Sequence, residues 1–162
     1  MPPSSSTIGV AEEGDAKEIE RLLDRVYVAA GFTDPDVAKE IFRAEAVLAR
    51  GNVLVARDGD VLAGMVIVVP PDSPARRLAE EGDVEMHLLA VAPEYRSVGL
   101  GGQLVVASLD FARAGGFQRM VLWTQPLMSA AHRLYERHGF ARAPSRDFAA
   151  RGRDFLVFER SL

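Results

Sequence analysis

Three glycines, Gly99, Gly101 and Gly102, separate an apolar run from a helical one, and no other feature limits the possible folds of this chain as strongly. They lie in residues 84–115, VEMHLLAVAPEYRSVGLGGQLVVASLDFARAG. The run before Pro93 reads as an apolar strand, and Leu104, Val105, Leu109 and Ala112 recur at the spacing of one helix face. A strand, a glycine loop and a helix in this order present backbone N–H groups to an anion. The first helical turn leaves N–H groups unpaired, the macrodipole adds partial positive charge there, and glycines let a phosphate approach the main chain. A diphosphate fits residues 97–102.

Spacing separates three kinds of anion loop. A P-loop ends in Gly-Lys followed by Ser or Thr, whereas here Gly101 is followed by Gly102 and Gln103, which argues against a nucleoside triphosphatase. The dinucleotide fingerprint G-x-G-x-x-G begins at Gly99 and Gly101, but Leu104 stands at its third glycine position and the match is set aside. The remaining reading is a resemblance. Residues 91–102, V-A-P-E-Y-R-S-V-G-L-G-G, resemble the acetyl-CoA signature of the GNAT superfamily of N-acetyltransferases, whose Arg/Gln-x-x-Gly-x-Gly/Ala core is matched by Arg96, Gly99 and Gly101. Ala131, Leu134, Tyr135, Gly139 and Phe140 are similar to that family's A-x-x-L-Y-x-x-x-G-F segment. Two motifs in the family's order weigh more than either alone.

The resemblance implies an α/β (α+β) chain with the GNAT acyl-CoA N-acyltransferase fold. That is a central mixed, mostly antiparallel sheet of about six or seven strands flanked by about four helices, with a splayed parallel strand pair holding the cofactor. A length of 162 residues and 48% hydrophobic content suit one domain over residues 1–162, with residues 1–7 flexible. No run reaches the ~20 apolar residues of a membrane span, and MPPSSST at the start lacks the regions of a signal peptide. The expectation is a cytoplasmic protein with no membrane partner. The absence of cysteine excludes disulfides, thiolate metal sites and an enzyme thioester. A formal net charge of −4 argues against nucleic-acid binding, short of a local arginine cluster on one face.

Along the chain, residues 8–11 read as an edge strand. Asp15 with Glu18 fits a capping box for a helix whose stripe is Ile19, Leu22, Leu23, Val26 and Ala30, ended by Gly31. A second helix is expected from Asp34-Pro35 through Ile41, Phe42 and Val47 to Gly51. Asp58-Gly59 between residues 53–56 and 61–69 signals a hairpin. Residues 70–82 read as a loop with a short helix, its charges at 76–81 solvated. A strand over 119–125, a helix over 129–138 capped by Gly139, and a closing strand containing Phe155, Leu156, Val157 and Phe158 complete the pattern.

The resemblance also assigns roles. Acetyl-CoA is the implied cosubstrate, held by Arg96, Ser97, Val98, Gly99, Leu100, Gly101 and Gly102, with its arm beside Leu89, Ala90 and Val91. The Leu89 N–H is then placed to stabilise an oxyanion. An alkylamine acceptor is mostly protonated at pH 7 and needs a base. Glu85 is the first candidate, His87 the alternative, and strand periodicity sets Glu85, His87 and Leu89 on one face unless a bulge intervenes. Tyr135 is the implied general acid toward the departing thiolate. Met128 stands where many relatives carry an asparagine that contacts the cofactor arm, which puts that contact in doubt. Tyr27 and Phe32 are placed either against substrate or in the core. His132 and His138 show no metal-ligand spacing, no metal is expected, and no G-x-S-x-G elbow supports a hydrolase. Direct acetyl transfer to an unidentified primary amine is the leading expectation. A non-catalytic acyl-CoA sensor or interaction domain is the alternative, and a homodimer through edge strands is compatible with either.

Overall fold

The computed structural model describes residues 6–162. Eight strands form a sheet in the order β1-β2-β3-β4-β5-β8-β6, with β7 paired to β8. The strands are β1 Ser6–Val10, β2 Asn52–Asp58, β3 Val61–Val69, β4 Asp83–Val91, β5 Arg119–Thr124, β6 Ala141–Arg142, β7 Phe148–Ala150 and β8 Arg153–Ser161. The helices are α1 Ala16–Leu23, α2 Pro35–Ile41, α3 Ala44–Leu48, α4 Leu100–Ala114 and α5 Ser129–Arg137. Every pairing is antiparallel except β4 with β5. β6 and β7 exceed the strand number implied by the resemblance; they are too short to leave a period of two in the sequence.

The central strands are buried on both faces, and alternation sorts their side chains between two cores. Leu54, Ala56, Val66 and Val68 pack with Leu104 and Leu109 of α4 and with Phe158. Val53, Val55, Met65 and Ile67 pack with Ile19, Leu22 and Leu23 of α1 and Val47 of α3. Gly64 of β3 lies under α4: a Cβ there would stand 2.8 Å from Leu104 Cδ1 and 3.1 Å from the Ala90 carbonyl oxygen. Gly64→Ala is therefore expected to lower unfolding free energy by about 1–3 kcal/mol, measured by urea titration. An unchanged midpoint would show that the helix shifts without cost.

Several local expectations change in the tertiary setting. The N-terminal helix begins with a 3₁₀ turn, Glu13–Asp15, and the Glu12 N–H donates to Asp15 Oδ2 at 2.8 Å, so Asp15 ends a capping box instead of opening one. Asp15 also pairs with Arg57, and Glu18 accepts the Leu62 N–H at 3.3 Å. After α1 the chain widens into a π turn, Asp24–Val28, and Gly31 ends the helical run with φ +81°. The second expected helix is two. It breaks at Phe42-Arg43, where Glu20 Oε1 accepts the Ala44 N–H at 2.6 Å and caps α3 from another helix. Of the residues expected to be flexible, 1–5 lie outside the described set, while Ser6 and Thr7 pair with Asp58 and Arg57 in β1.

Two irregularities shape the middle of the sheet. The parallel β4–β5 pairing runs only from Asp83↔Arg119 to Met86↔Leu122, and beyond it the strands part. Their paired ends are pinned by Arg119, which donates to both carboxylate oxygens of Asp83 at 3.0 and 2.8 Å. Burial raises the Asp83 pKa, but Arg119 outweighs it and holds the carboxyl below its usual range. On the other side, Met65 pairs with Ala90 and Ile67 with His87, so Val66 faces both Leu88 and Leu89. This is a β-bulge, with Leu88 at φ +50°. Glu85 and His87 keep a common face, and the bulge ends the alternation before Leu89.

Candidate active site

At the head of α4, Ser97 and Gly99 take φ of +67° and +84°, and the first helical bond runs from the Gln103 N–H to the Gly99 carbonyl at 3.1 Å. Among the described residues, no N–H from 97 to 102 donates to a protein acceptor. Unpaired donors, the helix dipole and open space beside Gly99 make a cradle that fits a diphosphate. Gly101 and Gly102 have a second reason to be glycine. A Cβ on Gly101 would lie 3.2 Å from Leu134 Cδ2, and one on Gly102 3.2 Å from His138 Cε1, because α5 packs across the start of α4. Arg96 is exposed beside the loop. Leu89 lies in the bulge opposite Val66 and beyond the end of the β4–β5 pairing, and its carbonyl accepts the Tyr27 hydroxyl at 2.7 Å.

Where β4 and β5 part, a cavity of about 680 Å³ opens, a size typical of small-molecule sites. Its walls come from α2, α3, the segment before β4, and the β7–β8 hairpin. His87, Trp123, Met128 and Tyr135 line it, as do Tyr27 and Phe32; Tyr27 also packs against the core, with its ring beside Phe42. Glu85 does not line it.

Glu85 is fully buried, and its carboxylate is saturated. Oε2 accepts the N–H groups of Arg77, Leu78 and Ala79 at 2.8, 2.5 and 2.7 Å, and Oε1 meets His87 Nε2 at 2.7 Å. Residues 77–79 therefore form no helix: their N–H groups turn inward to the carboxylate. The charged residues of the segment, Arg76, Arg77, Glu80 and Glu81, are exposed as expected, while Ala79 between them is buried at 1% exposure. Burial raises the Glu85 pKa, but the imidazole and the three amides outweigh it, and the group stays ionised below the usual carboxylate range. Glu85, expected as the proton acceptor facing substrate, has both oxygens engaged by these donors and does not line the cavity.

His87 is the member of this chain that reaches the cavity. Arg50 Nη1 lies 3.1 Å from Nδ1. A guanidinium has only donors, so Nδ1 accepts, the proton resides on Nε2, and Nε2–H donates to Glu85. Burial lowers the His87 pKa, Glu85 opposes the shift, and Arg50 adds to it; the net direction is down. The ring is thus neutral through the neutral range. Trp123 closes one side with its ring centroid 4.7 Å away.

Tyr135 is buried against Phe140 and Phe158, with centroids at 5.8 and 6.1 Å. Among the described residues its hydroxyl makes no hydrogen bond to protein and is open to the cleft, and burial of the ring raises its pKa, so it stands there as a protonated phenol. Met128 precedes α5, with its sulfur 3.4 Å from Thr124 Oγ1. His132 bonds the Gln125 carbonyl at 3.0 Å and His138 the Leu134 carbonyl at 2.9 Å, in keeping with structural roles. Arg50 and the amides of 77–79 are the participants that sequence reading missed. Arg50 follows the apolar residues Val47, Leu48 and Ala49, but nothing local distinguishes it from a solvated cation.

A splayed parallel pair beside an unpaired helix N-terminus defines an acyl-CoA-type transferase fold. The profile of the Acetyltransferase (GNAT) family matches residues 16–140. The chain belongs to that family. Rat N-acetyltransferase family 8 member 3 is 34% identical over 53% of this chain and 36% of its own length. Fission yeast N-alpha-acetyltransferase 30 is 39% identical over 54% of this chain and 56% of its own. The chain thus spans only part of the curated relatives it matches. The PaiA N-acetyltransferase of Thermoplasma acidophilum, solved in complex with coenzyme A, superposes with a TM-score of 0.78 at 15% identity, over 98% of this chain and 99% of that one. At that identity the likeness speaks for the fold. Among the described residues, no helix is long and apolar enough to cross a membrane.

Proposed function

We propose that this protein transfers an acetyl group from acetyl-CoA to a primary amine. The observation that carries the proposal is the row of unpaired N–H groups at 97–102, followed along the strand splay by a cavity lined by His87 and Tyr135. Residues 97–102 and the backbone of Leu89, Ala90 and Val91 would hold the cosubstrate, which when bound supplies the acetyl group as an activated thioester. The Leu89 N–H, at the bulge where β4 leaves β5, would be the donor to a carbonyl oxygen in the splay. His87 takes the amine proton at Nδ1, because Nε2 is committed to Glu85. Arg50 must release Nδ1 for this to happen. Glu85 is the positioning residue: it holds the tautomer and stabilises the imidazolium as it forms. Tyr135 donates its phenol proton toward the sulfur that departs; burial disfavours a thiolate there as it disfavours the phenolate.

Calorimetric titration with acetyl-CoA, with ATP and NAD as controls, tests the cosubstrate, and thiol release on adding amines tests the reaction. Micromolar binding of acetyl-CoA alone together with amine-dependent thiol release is expected. Binding without release from any amine would replace the enzyme by an acyl-CoA sensor. Gly99→Asp and Gly99→Asn meet the same backbone strain at φ +84°, the mildest for any side chain, and differ chiefly in charge. The aspartate should weaken CoA binding roughly tenfold more than the asparagine, by repulsion from the diphosphate. Equal affinities would remove the diphosphate from this loop.

A further inference from the structure

The cavity carries charge that acetyl transfer as described leaves without use. Five arginines line it, Arg50, Arg76, Arg77, Arg151 and Arg153, against the acids Asp34 and Glu40, in a chain whose overall charge is negative. Arg153 is paired with Asp34 at 3.0 Å. Among the described residues, the other four have no carboxylate within 4.0 Å. Arg77 lies over the Phe148 ring, 4.1 Å from its centroid, and Arg76 bonds the Ala79 carbonyl.

Arg50 is the most constrained of these cations. It is half-buried, and its contacts are with neutral acceptors only, His87 Nδ1 at 3.1 Å and the Ile41 carbonyl at 3.3 Å. Burial works against its charge, and so does Arg151. Arg151 itself occupies a costly position. The β7–β8 hairpin closes at Ala150↔Arg153 around Arg151 and Gly152, with φ of +52° and +74°. Such a turn favours Asn-Gly, and an arginine there is strained. The fold thus maintains two guanidinium groups near each other on one cavity against strain, burial and repulsion. An anion arriving with the substrate would relieve the burial and the repulsion.

We propose that the amine acceptor also carries a carboxylate, bound by Arg50 and enclosed from the rim by Arg151; this rests on the amine-acetylation reading. A planar guanidinium fork matches a carboxylate. Because Arg50 touches the very nitrogen that receives the amine proton, the carboxylate and the amine must lie close together, as in an α- or β-amino acid. Phe32, Val37, Ile41 and Phe155 on the same cavity suit an apolar side chain. The carboxylate drawing Arg50 away also frees His87 Nδ1, so that binding of the correct acceptor uncovers the base. A polyamine, cationic at both ends, is repelled.

The test is titration of the CoA-bound protein with l-phenylalanine, l-leucine, l-methionine and β-alanine, each against its own amide, alongside thiol release from acetyl-CoA with the same compounds. At least one acid should bind about tenfold more tightly than its amide, the effect of a charge-assisted pair. Turnover should show the same order, although the amide's less basic amine favours the amide. Arg50→Gln should reduce the ratio to about threefold or less with CoA affinity unchanged. If that variant does not fold, Arg151→Asn, which suits the turn, should reduce the ratio about threefold with the melting temperature unchanged or raised. Amides binding as well as acids across the panel, or ratios unaltered in the folded variants, would overturn the inference. In that case thiol release with neutral amines would leave the acetyltransferase reading standing. Acid-selective binding without thiol release would support the carboxylate site and overturn acetyl transfer.

Discussion

Glu85→Gln is expected to destabilise the protein by about 3 kcal/mol and to lower kcat/KM by about 100-fold. The wild-type carboxylate accepts four donors, three backbone N–H groups on one oxygen and the His87 Nε2–H on the other. An amide cannot replace it. With its NH₂ toward residues 77–79, donors face donors. With its NH₂ toward His87, the ring must move its proton to Nδ1, where Arg50 also donates. Either orientation leaves a buried polar group unsatisfied; the first also removes the negative charge that stabilises the imidazolium, and the second takes His87 out of the tautomer that can accept a proton. Urea titration and steady-state kinetics on one preparation check both effects. Were Glu85 itself the proton acceptor, activity would collapse while stability held, and the positioning role would fail.

The same groups set the acid limb of stability. His87 has a folded pKa below its ordinary 6.5, so as pH falls the unfolded chain takes that proton first, and stability declines from about pH 6.5 downward. Glu85 has a folded pKa below its ordinary 4.5, so its contribution is complete above 4.5 and is lost as pH falls through the depressed value. Both slopes have the same sign. In Glu85→Gln, the dependence below about pH 4.5 should be flatter than in the wild type. Parallel curves would mean that the carboxylate is not the group titrating there.

Tyr135→Phe is expected to lower kcat by about 100-fold at neutral pH with CoA affinity and stability nearly unchanged. The phenol makes no hydrogen bond to protein among the described residues, while its ring packs on Phe140 and Phe158, and phenylalanine preserves that packing. The wild type should keep its rate on the alkaline side beyond the ordinary phenol range near 10, because burial holds the proton. Equal kcat in the two proteins would make Tyr135 a packing residue only.

The sequence by itself determined the elements whose requirements are local. The hairpin around Gly59, the Ile19, Leu22 and Leu23 part of the first stripe and the helix carrying Leu134 and Tyr135 each depend on residues a few positions apart, and each is found where periodicity and motif placed it. Tertiary structure decided the state of the ionisable groups. Glu85 was visible as a strand carboxylate beside a histidine, but whether it faces substrate or is sequestered depends on three amides from a segment whose sequence reads as a loop with a short helix. Arg50 and His87 are 37 residues apart and meet only because α3 is folded against the sheet. Glu20 breaks the second helix in the same way, by reaching it from another element. Backbone conformation follows from nearest neighbours, whereas the charge and reach of a buried side chain follow from whichever remote donors the fold brings to it.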